Sequence, residues 1–369
     1  MKYFIIAGEA SGDLHGGNLI NAIREQDTNA QFQFWGGDNM AAQAPGLLKH
    51  YKEVAIMGFV EVLMNVRTIF TNLNTCKNQI EAYNPDVVVF IDYPGFNLRI
   101  AEFCKKKNIK TAYYISPKVW AWKESRAKKL ECYIDKLLII FPFEVDYFKK
   151  WKVNATFVGN PLLDAINQFV PDAKFRTKHQ LDNRNIITLM PGSRKQEINK
   201  ILPMMIGSTL DYTDYQLVIA GAPGIDPLFY KPYLNERVSI VFNETYDLLS
   251  QSTAALVCSG TATLETALFN VPQVCGYVAN QLSYTIAMWL VKVKYISLVN
   301  LNLNRTCITE LIQQEFSTQN LTKELNAILP NGNERDRMMS DYAELRKILG
   351  GVGASKRAAN EIIRLVQQA

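Results

Sequence analysis

The chain has 369 residues, 48% hydrophobic and 20% charged, with a formal net charge of +5. That composition excludes a disordered chain and is long enough for two domains with their own cores. The small basic excess suits anionic partners such as nucleotides or membrane surfaces and is too weak to indicate nucleic acid. Six cysteines stand singly, without a CxxC pair, so neither a zinc site nor a disulfide framework is indicated and a reducing cytosol is expected. The N-terminus starts on a strand pattern with no secretion signal. No apolar run reaches the roughly 18 residues needed to span a bilayer. The nearest, Leu282–Val299, is broken by Lys292 and Lys294.

Strand patterns come first at Tyr3–Ala7, Phe32–Trp35, Asp86–Asp92, Thr111–Ser116, Lys136–Phe141 and Ala155–Gly159. Helix patterns lie between them at Leu14–Glu25, Val60–Tyr83 and Leu98–Lys107. This alternation predicts a parallel sheet covered by helices. Pro161–Asn185 reads as a connection, after which the pattern restarts at Ile186–Met190, Tyr215–Gly221, Val238–Phe242, Ala254–Gly260 and Pro272–Val278. From about Asn320 only helical patterns remain. The expected architecture is α/β: two tandem Rossmann-like doubly wound domains with a cleft between them. Residues 1–165 would form the N-terminal domain and 166–335 the C-terminal one. The helices of 336–369 would pack back on the first domain or on a partner chain.

Ligands of open α/β sheets sit at the carboxyl ends of strands. That rule selects the loops Gly8–Gly17, Ile91–Asn97, Ser116–Trp122, Pro191–Lys195 and Ser259–Glu265. In the second half, Ser259, Gly260 and Thr261 open a helix, where free N–H groups favour phosphate. Glu265 lies one turn on, on the same face, and could accept hydrogen bonds from vicinal ribose hydroxyls. The plainer reading is a capped helix with an exposed Glu. Gly192, Ser193 and Arg194 follow another strand. There glycine permits close approach and the guanidinium matches phosphate oxygens, against the plainer reading of a surface Arg in a turn. The chain has no D-x-D pair, so a metal-chelating nucleotide site of that kind is not expected. Leaving-group charge would be met by Arg194 and a helix N-terminus.

In the first half, Asp92 ends a very apolar strand. Burial would raise its pKa and suit it as a general base, the alternative being a structural hydrogen bond. Asn97 could cap the following helix. The opening loop adds Glu9, Asp13 and His15 to the same edge. Its glycines fall at intervals of four and not as G-x-G-x-x-G, which argues against a dinucleotide site. With no G-x-S-x-G element, a Ser-His-Asp hydrolase is not expected. Trp120 and Trp122 with Lys118, Lys123, Arg126, Lys128 and Lys129 could grip an anionic acceptor or form a basic helix face over core tryptophans. Ala55–Asn74 is apolar on more than one helical face. It reads either as an internal helix or as a surface that meets a membrane or a lipid chain.

Taken in order, "AGEASGD" (7–13), "MGFVEVL" (57–63), "PDVVVFIDYPGFN" (85–97), "YYISPKVWAW" (113–122), "FPFE" (141–144), "PGSR" (191–194), "SGTATLE" (259–265) and "YISLVNL" (295–301) resemble the lipid-A-disaccharide synthase family over most of the chain. The resemblance implies an inverting, metal-independent glycosyltransferase of GT-B type without a cofactor. It would join UDP-2,3-diacylglucosamine to 2,3-diacylglucosamine 1-phosphate (lipid X), giving a β-1,6-linked disaccharide and UDP. It implies Asp92 as base; were the base elsewhere, Glu9 or His15 of the opening loop would be next in line. Arg194 would meet the UDP phosphates and Glu265 the ribose, and Asn300 is a further functional position. Glu9 and Asp13 would accept hydrogen bonds from acceptor hydroxyls. Where the family has a second Asp, this chain has Gly95, so no catalytic role falls there.

The family's peripheral, monotopic attachment to the inner face of the cytoplasmic membrane implies lipid contact by Val60, Val62, Leu63, Val66, Ile69 and Phe70, with Ile198–Gly207 as a second contact. It also allows a homodimer built through C-terminal elements. The rival readings are a sugar-nucleotide epimerase on the same double fold and a non-catalytic nucleotide or lipid binder.

Overall fold

The computed structural model describes residues 1–53, 66–117, 119, 125–278 and 294–368. The chain forms two compact units, Met1–Asp164 with Leu349–Ala369 and Ala165–Ile348.

The first unit begins β1 (Lys2–Ala7), α1 (Ala10–Arg24), β2 (Gln31–Gly36), α2 (Asp38–Gln43), β3 (Leu47–His50) and α3 (Val66–Tyr83). It continues β4 (Val87–Ile91), α4 (Pro94–Lys106), β5 (Lys110–Tyr114), α5 (Ser125–Tyr133), β6 (Lys136–Ile139), α6 (Phe143–Lys150) and β7 (Ala155–Phe157). Helix α7 (Pro161–Gln168) follows and carries the boundary between the units.

The second unit holds α8 (Phe175–Lys178), β8 (Asn185–Met190), α9 (Lys195–Gly207), β9 (Tyr215–Gly221), β10 (Val238–Phe242), α10 (Thr245–Ser250) and β11 (Ser252–Cys258). Then come α11 (Thr261–Leu268), β12 (Gln273–Tyr277), α12 (Leu298–Leu303), β13 (Glu310–Ile312), α13 (Thr318–Ile328) and α14 (Arg335–Ile348). From Leu349 the chain is again part of the first unit, where α15 (Ala354–Gln367) packs on α1.

The sheets run β3-β2-β1-β4-β5-β6-β7 and β10-β9-β8-β11-β12-β13, with parallel pairing throughout. Both have the strand order of doubly wound nucleotide-binding sheets. Parallel strands are covered on both faces, so they read as unbroken apolar runs, and every residue of β4 is buried. Phe4, Val88 and Phe90 meet Leu73, Cys76 and Ile80 of α3 and Ile100 and Cys104 of α4 in one cluster. The sequence reading missed β3 and β13. Both are short edge strands, "LLKH" and "ELI", without a buried apolar run. Pro161–Asn185, read as a connection, contains α7 and α8. Among the described residues no helix is long and apolar enough to cross a membrane.

The opening glycines serve packing. Only Gly8 and Glu9 separate β1 from α1, so the expected loop over Gly8–Gly17 is mostly helix. Glycines four apart share a helical face. A Cβ on Gly12 would lie 3.3 Å from that of Ala7, and one on Gly16 would lie 2.6 Å from the Met40 sulfur. The helix thus rests directly on the sheet and on α2. Asp13, expected to face acceptor hydroxyls, is buried instead. Its carboxylate accepts from Gly37 N–H at 2.6 Å, Asn39 N–H at 3.0 Å, Asn39 Nδ2 at 2.9 Å and Met40 N–H at 3.1 Å. It is the anion at the start of α2.

His15 is also turned inward. Its Nδ1 is buried without a hydrogen-bond partner, and burial lowers its pKa from 6.5 to about 4, with Asp164 opposing. Asp164 itself accepts from the backbone N–H groups of Gly353, Ala354 and Ser355, fixing the start of α15. Asn160 N–H to Leu349 C=O (3.0 Å) and Lys136 to Glu361 (2.7 Å) complete the attachment of the C-terminal segment.

Replacing Asp13 by Ala leaves buried N–H groups unpaired and should lower the unfolding free energy by about 3 kcal/mol in a denaturant titration. A loss within ordinary surface-mutation scatter would contradict the assignment. His15 stays neutral in the folded state where the unfolded chain would take up a proton. Its contribution to stability is therefore lost as pH falls from 6.5 towards about 4. His15→Gln should remove that part of the acid slope in unfolding curves measured across the window.

Candidate functional site

A doubly wound sheet opens a crevice where successive connections depart to opposite sides, between its first and fourth strands. In the first sheet that point lies between β1 and β4, paired with Ala7 opposite Ile91. In the second it lies between β8 and β11, paired with Met190 opposite Val257. The first crevice brings Gly8–Glu9 beside Asp92–Tyr93. The second brings Pro191–Arg194 beside Ser259–Thr261.

In the first crevice, Asp92 and Tyr93 both have left-handed backbone, with φ of 42° and 48°. Such conformations are costly for non-glycine residues and are held by their surroundings. Asn97 Nδ2 donates to the Asp92 carbonyl at 2.8 Å, and the Tyr113 hydroxyl donates to the same oxygen. Asn97, expected as a cap, is therefore a clamp on the turn, and the cap position of α4 belongs to Tyr93. Burial, reinforced by the Asp92 charge, pushes the Tyr113 hydroxyl well above its ordinary pKa, so it remains a donor. The Tyr93 ring lies over Gly8, where a Cβ would come within 2.3 Å of it. Burial and the Glu9 charge raise the Tyr93 pKa. Glu9 is exposed at the start of α1 and makes no side-chain cap. Two carboxylates, one half-buried and one exposed, therefore stand at adjacent strand ends. Beside them Ser116 donates to buried Glu144 of the "FPFE" segment, which also accepts from Phe141 N–H at 3.2 Å.

In the second crevice, α9 and α11 both start without a side-chain cap. The N–H groups that open a helix precede its first intrahelical bond, made here by Ile198 N–H to Arg194 C=O in α9 and by Thr263 N–H to Gly260 C=O in α11, and they suit an anion. Gly192 has φ 108°, and a Cβ there would lie 2.9 Å from a Glu197 oxygen. Arg194 is 77% exposed and bonds Glu197 at 2.8 Å. Ser193 and Thr261 are exposed, and the space beside Gly260 is open to at least 4 Å. Ser259 is committed differently from expectation. Its hydroxyl donates to the Ile296 carbonyl at 2.9 Å, so that proton is not free for a phosphate oxygen. Burial raises the pKa of Glu265, which accepts from the Tyr246 hydroxyl at 3.3 Å. Phe169, Tyr246 and Phe269 pack edge-on and tilted against one another beside it, with ring centroids 5.0–5.6 Å apart. Glu265 is thus a half-buried acceptor on an aromatic wall, not an exposed surface acid.

The other expected positions divide. Asn300 is wholly buried inside the second unit, away from solvent. Val60, Val62, Leu63, Lys118, Trp120, Trp122 and Lys123 lie outside the described residues, and Val66 is described only as the start of α3. Ile69 packs partly against the core, so it is not an open lipid contact, whereas Phe70 is 62% exposed. In Ile198–Gly207, Ile198, Ile201, Leu202 and Met205 are fully buried, whereas Met204 and Ile206 are half-buried and Pro203 is exposed. Tyr93, Tyr113 and Glu197 were not foreseen, because a left-handed turn and a ring resting on glycine leave no periodic trace. Among the described residues no group of three or more His, Cys, Asp or Glu could hold a metal ion.

The comparisons with known proteins agree with one another. A family model described as lipid-A-disaccharide synthetase matches residues 3–364. The lipid-A-disaccharide synthase of Syntrophus aciditrophicus (strain SB) is 35% identical over 373 residues, covering 99% of this chain and 97% of the relative. That of Coxiella burnetii (strain CbuG_Q212) is 34% identical over 369 residues, covering 98% of each. Among solved structures, the UDP-GlcNAc 2-epimerase from Neisseria meningitidis, bound to UDP-GlcNAc, matches with a TM-score of 0.66 at 12% identity, covering 100% of both chains. The calicheamicin glycosyltransferase CalG4 matches with a TM-score of 0.60 at 13% identity, covering 100% of this chain and 98% of that one. These structural likenesses are to GT-B glycosyltransferases and to epimerases, and at such identity they speak of fold alone. The sequence matches run nearly end to end, and the chain belongs to the lipid-A-disaccharide synthase family.

Proposed function

We propose that Asp92 is the general base and that the α9 and α11 N-termini with Arg194 receive the diphosphate, in the lipid-A-disaccharide synthase reaction of the family. The observation that carries this reading is the placement of the two motif sets, each at the switch point of its own sheet. Passing from an α-linked donor to a β-linked product inverts the anomeric carbon, which a single in-line displacement achieves. Asp92 takes the proton of the acceptor's 6-hydroxyl as its oxygen bonds the anomeric carbon. The bond from that carbon to the UDP phosphate oxygen breaks, and UDP leaves. Arg194 must exchange its Glu197 partner for phosphate oxygens, a move open to an exposed guanidinium. Helix N-termini supply fixed positive potential for the leaving diphosphate. Glu265 accepts ribose hydroxyls, and Glu9 is placed to accept a hydroxyl of the acceptor.

Acylated substrates are met at a membrane surface, and the start of α3 is the face proposed for it. Phe70 lines a groove of about 360 Å³ between α3 and α4, with Leu73 and Phe103 as its floor, Lys77 and Arg99 around it, and Lys106 paired with Glu102 at 2.9 Å on the same rim. An apolar floor with a cationic rim matches acyl chains below anionic headgroups.

With both acylated glucosamine substrates, Asp92→Ala should lower kcat by about 10²–10⁴-fold, the usual worth of a positioned base. Arg194→Ala should cost about 10²-fold in kcat/KM. Full activity in Asp92→Ala would move the base elsewhere, with Glu9 next. Turnover of a soluble UDP-sugar without acceptor would favour the epimerase reading. Phe70→Ser should weaken sedimentation with phospholipid vesicles about tenfold while leaving turnover in detergent intact. Unchanged vesicle binding would remove this face from the membrane contact.

A further inference from the structure

Asn300 is wholly buried and Glu310 half-buried, and a line of hydrogen bonds leads from them to Ser259. Glu310 heads β13, and its carboxylate gathers three donors. These are Ile296 N–H at 2.9 Å, Ser297 N–H at 3.0 Å and Asn300 Nδ2 at 2.8 Å. Asn300 gives its other amide proton to the Ile308 carbonyl at 2.9 Å. Its oxygen accepts from Cys307 N–H at 2.8 Å and Ile308 N–H at 3.0 Å. Both ends of the Asn300 amide are thus engaged inside the protein, which leaves it a structural role. The backbone at Ile296–Ser297 is fixed by one anion, and the Ile296 carbonyl then receives the Ser259 hydroxyl at 2.9 Å. Ser259 N–H bonds the Gly276 carbonyl at 2.9 Å, so the residue entering α11 is held from both sides.

We propose that Glu310 is a positioning residue for UDP. Through Asn300 and the Ile296–Ser297 backbone it fixes Ser259, and with it the N-terminal turn of α11 that receives the diphosphate. The proposal rests on reading that turn as the diphosphate site. The chemistry requires a carboxylate. All three groups facing Glu310 are N–H donors, so an ionised acceptor satisfies them with charge-assisted bonds. An amide of nearly the same size would direct its own N–H₂ at another donor. Glu310→Gln therefore changes the hydrogen bonding with little change of volume. Misplacing the α11 turn costs affinity for the diphosphate, while Asp92, in the other unit, keeps its environment.

The test is calorimetric titration of UDP into wild type, Glu310→Gln, Ser259→Ala and the double variant, with melting temperatures and steady-state kinetics on the same samples. Each single variant should bind UDP about tenfold more weakly, the worth of one lost hydrogen bond in the chain of contacts. The KM for the UDP-sugar should rise in step, with kcat at saturation within about twofold of wild type. The double variant should be no weaker than the weaker single, because both changes break one chain of contacts. A folded Glu310→Gln with wild-type UDP affinity overturns the proposal, as do strictly additive losses. If Glu310→Gln does not fold, Ser259→Ala decides, and unchanged affinity there overturns the proposal. If wild type does not bind UDP, the diphosphate reading falls and the proposal with it. Intact wild-type binding with unaffected variants removes the proposal alone.

Discussion

The rest of the structure depends on one constraint: a parallel sheet whose connections leave to opposite sides must part at one place. There no helix covers the strand ends, and the backbone groups just beyond them face outward. Both sheets of this chain obey it, at β1/β4 and at β8/β11. Two segments far apart in sequence, such as Gly8–Glu9 and Asp92–Tyr93, become neighbours because their strands pair with Ala7 opposite Ile91. The chemistry at each crevice then follows from what the loops carry: carboxylates at the first, uncapped helix starts and Arg194 at the second.

Holding these loops in place accounts for polar residues that look functional. Asp13 is buried under four donors at the start of α2, Asn97 and Tyr113 clamp the Asp92 carbonyl, and Asn300 is enclosed with Glu310. Buried acceptors of this kind are costly to disturb because each leaves unpaired N–H groups behind. The substrate contacts proposed above are Glu9, Asp92, Arg194, the turns at Gly192 and Gly260, and Glu265 on its aromatic wall. The left-handed pair Asp92–Tyr93 shows the same division, since the strain sits at the proposed base and the groups that hold it lie behind it.

Much of the double fold was legible in the sequence, because strands buried on both faces are rich in apolar residues, as "VVVFI" and the "LVIAG" of β9 are. Edge strands escaped, since exposure frees "LLKH" and "ELI" from that demand. The strand-end loops that carry Asp92, Arg194 and Gly260 were legible as well, because their positions follow from the strands before them. Side-chain direction was not. Glycines four apart in "GEASGDLHGG" marked a loop in the sequence but form a helical packing face, and nothing in residue type separates the buried Asp13 from the exposed Glu9. Partners far along the chain decide such cases, as Met40 does for Gly16 and Glu310 for Asn300.

In the mechanism proposed above, proton removal and diphosphate binding belong to different crevices and separate residues, a division of labour open to experiment. Measuring donor affinity and turnover together in Asp92→Asn tests it most directly. UDP-diacylglucosamine should bind this variant as tightly as wild type while disaccharide formation is lost. Retained turnover, or donor binding lost along with it, would rule out that division of labour.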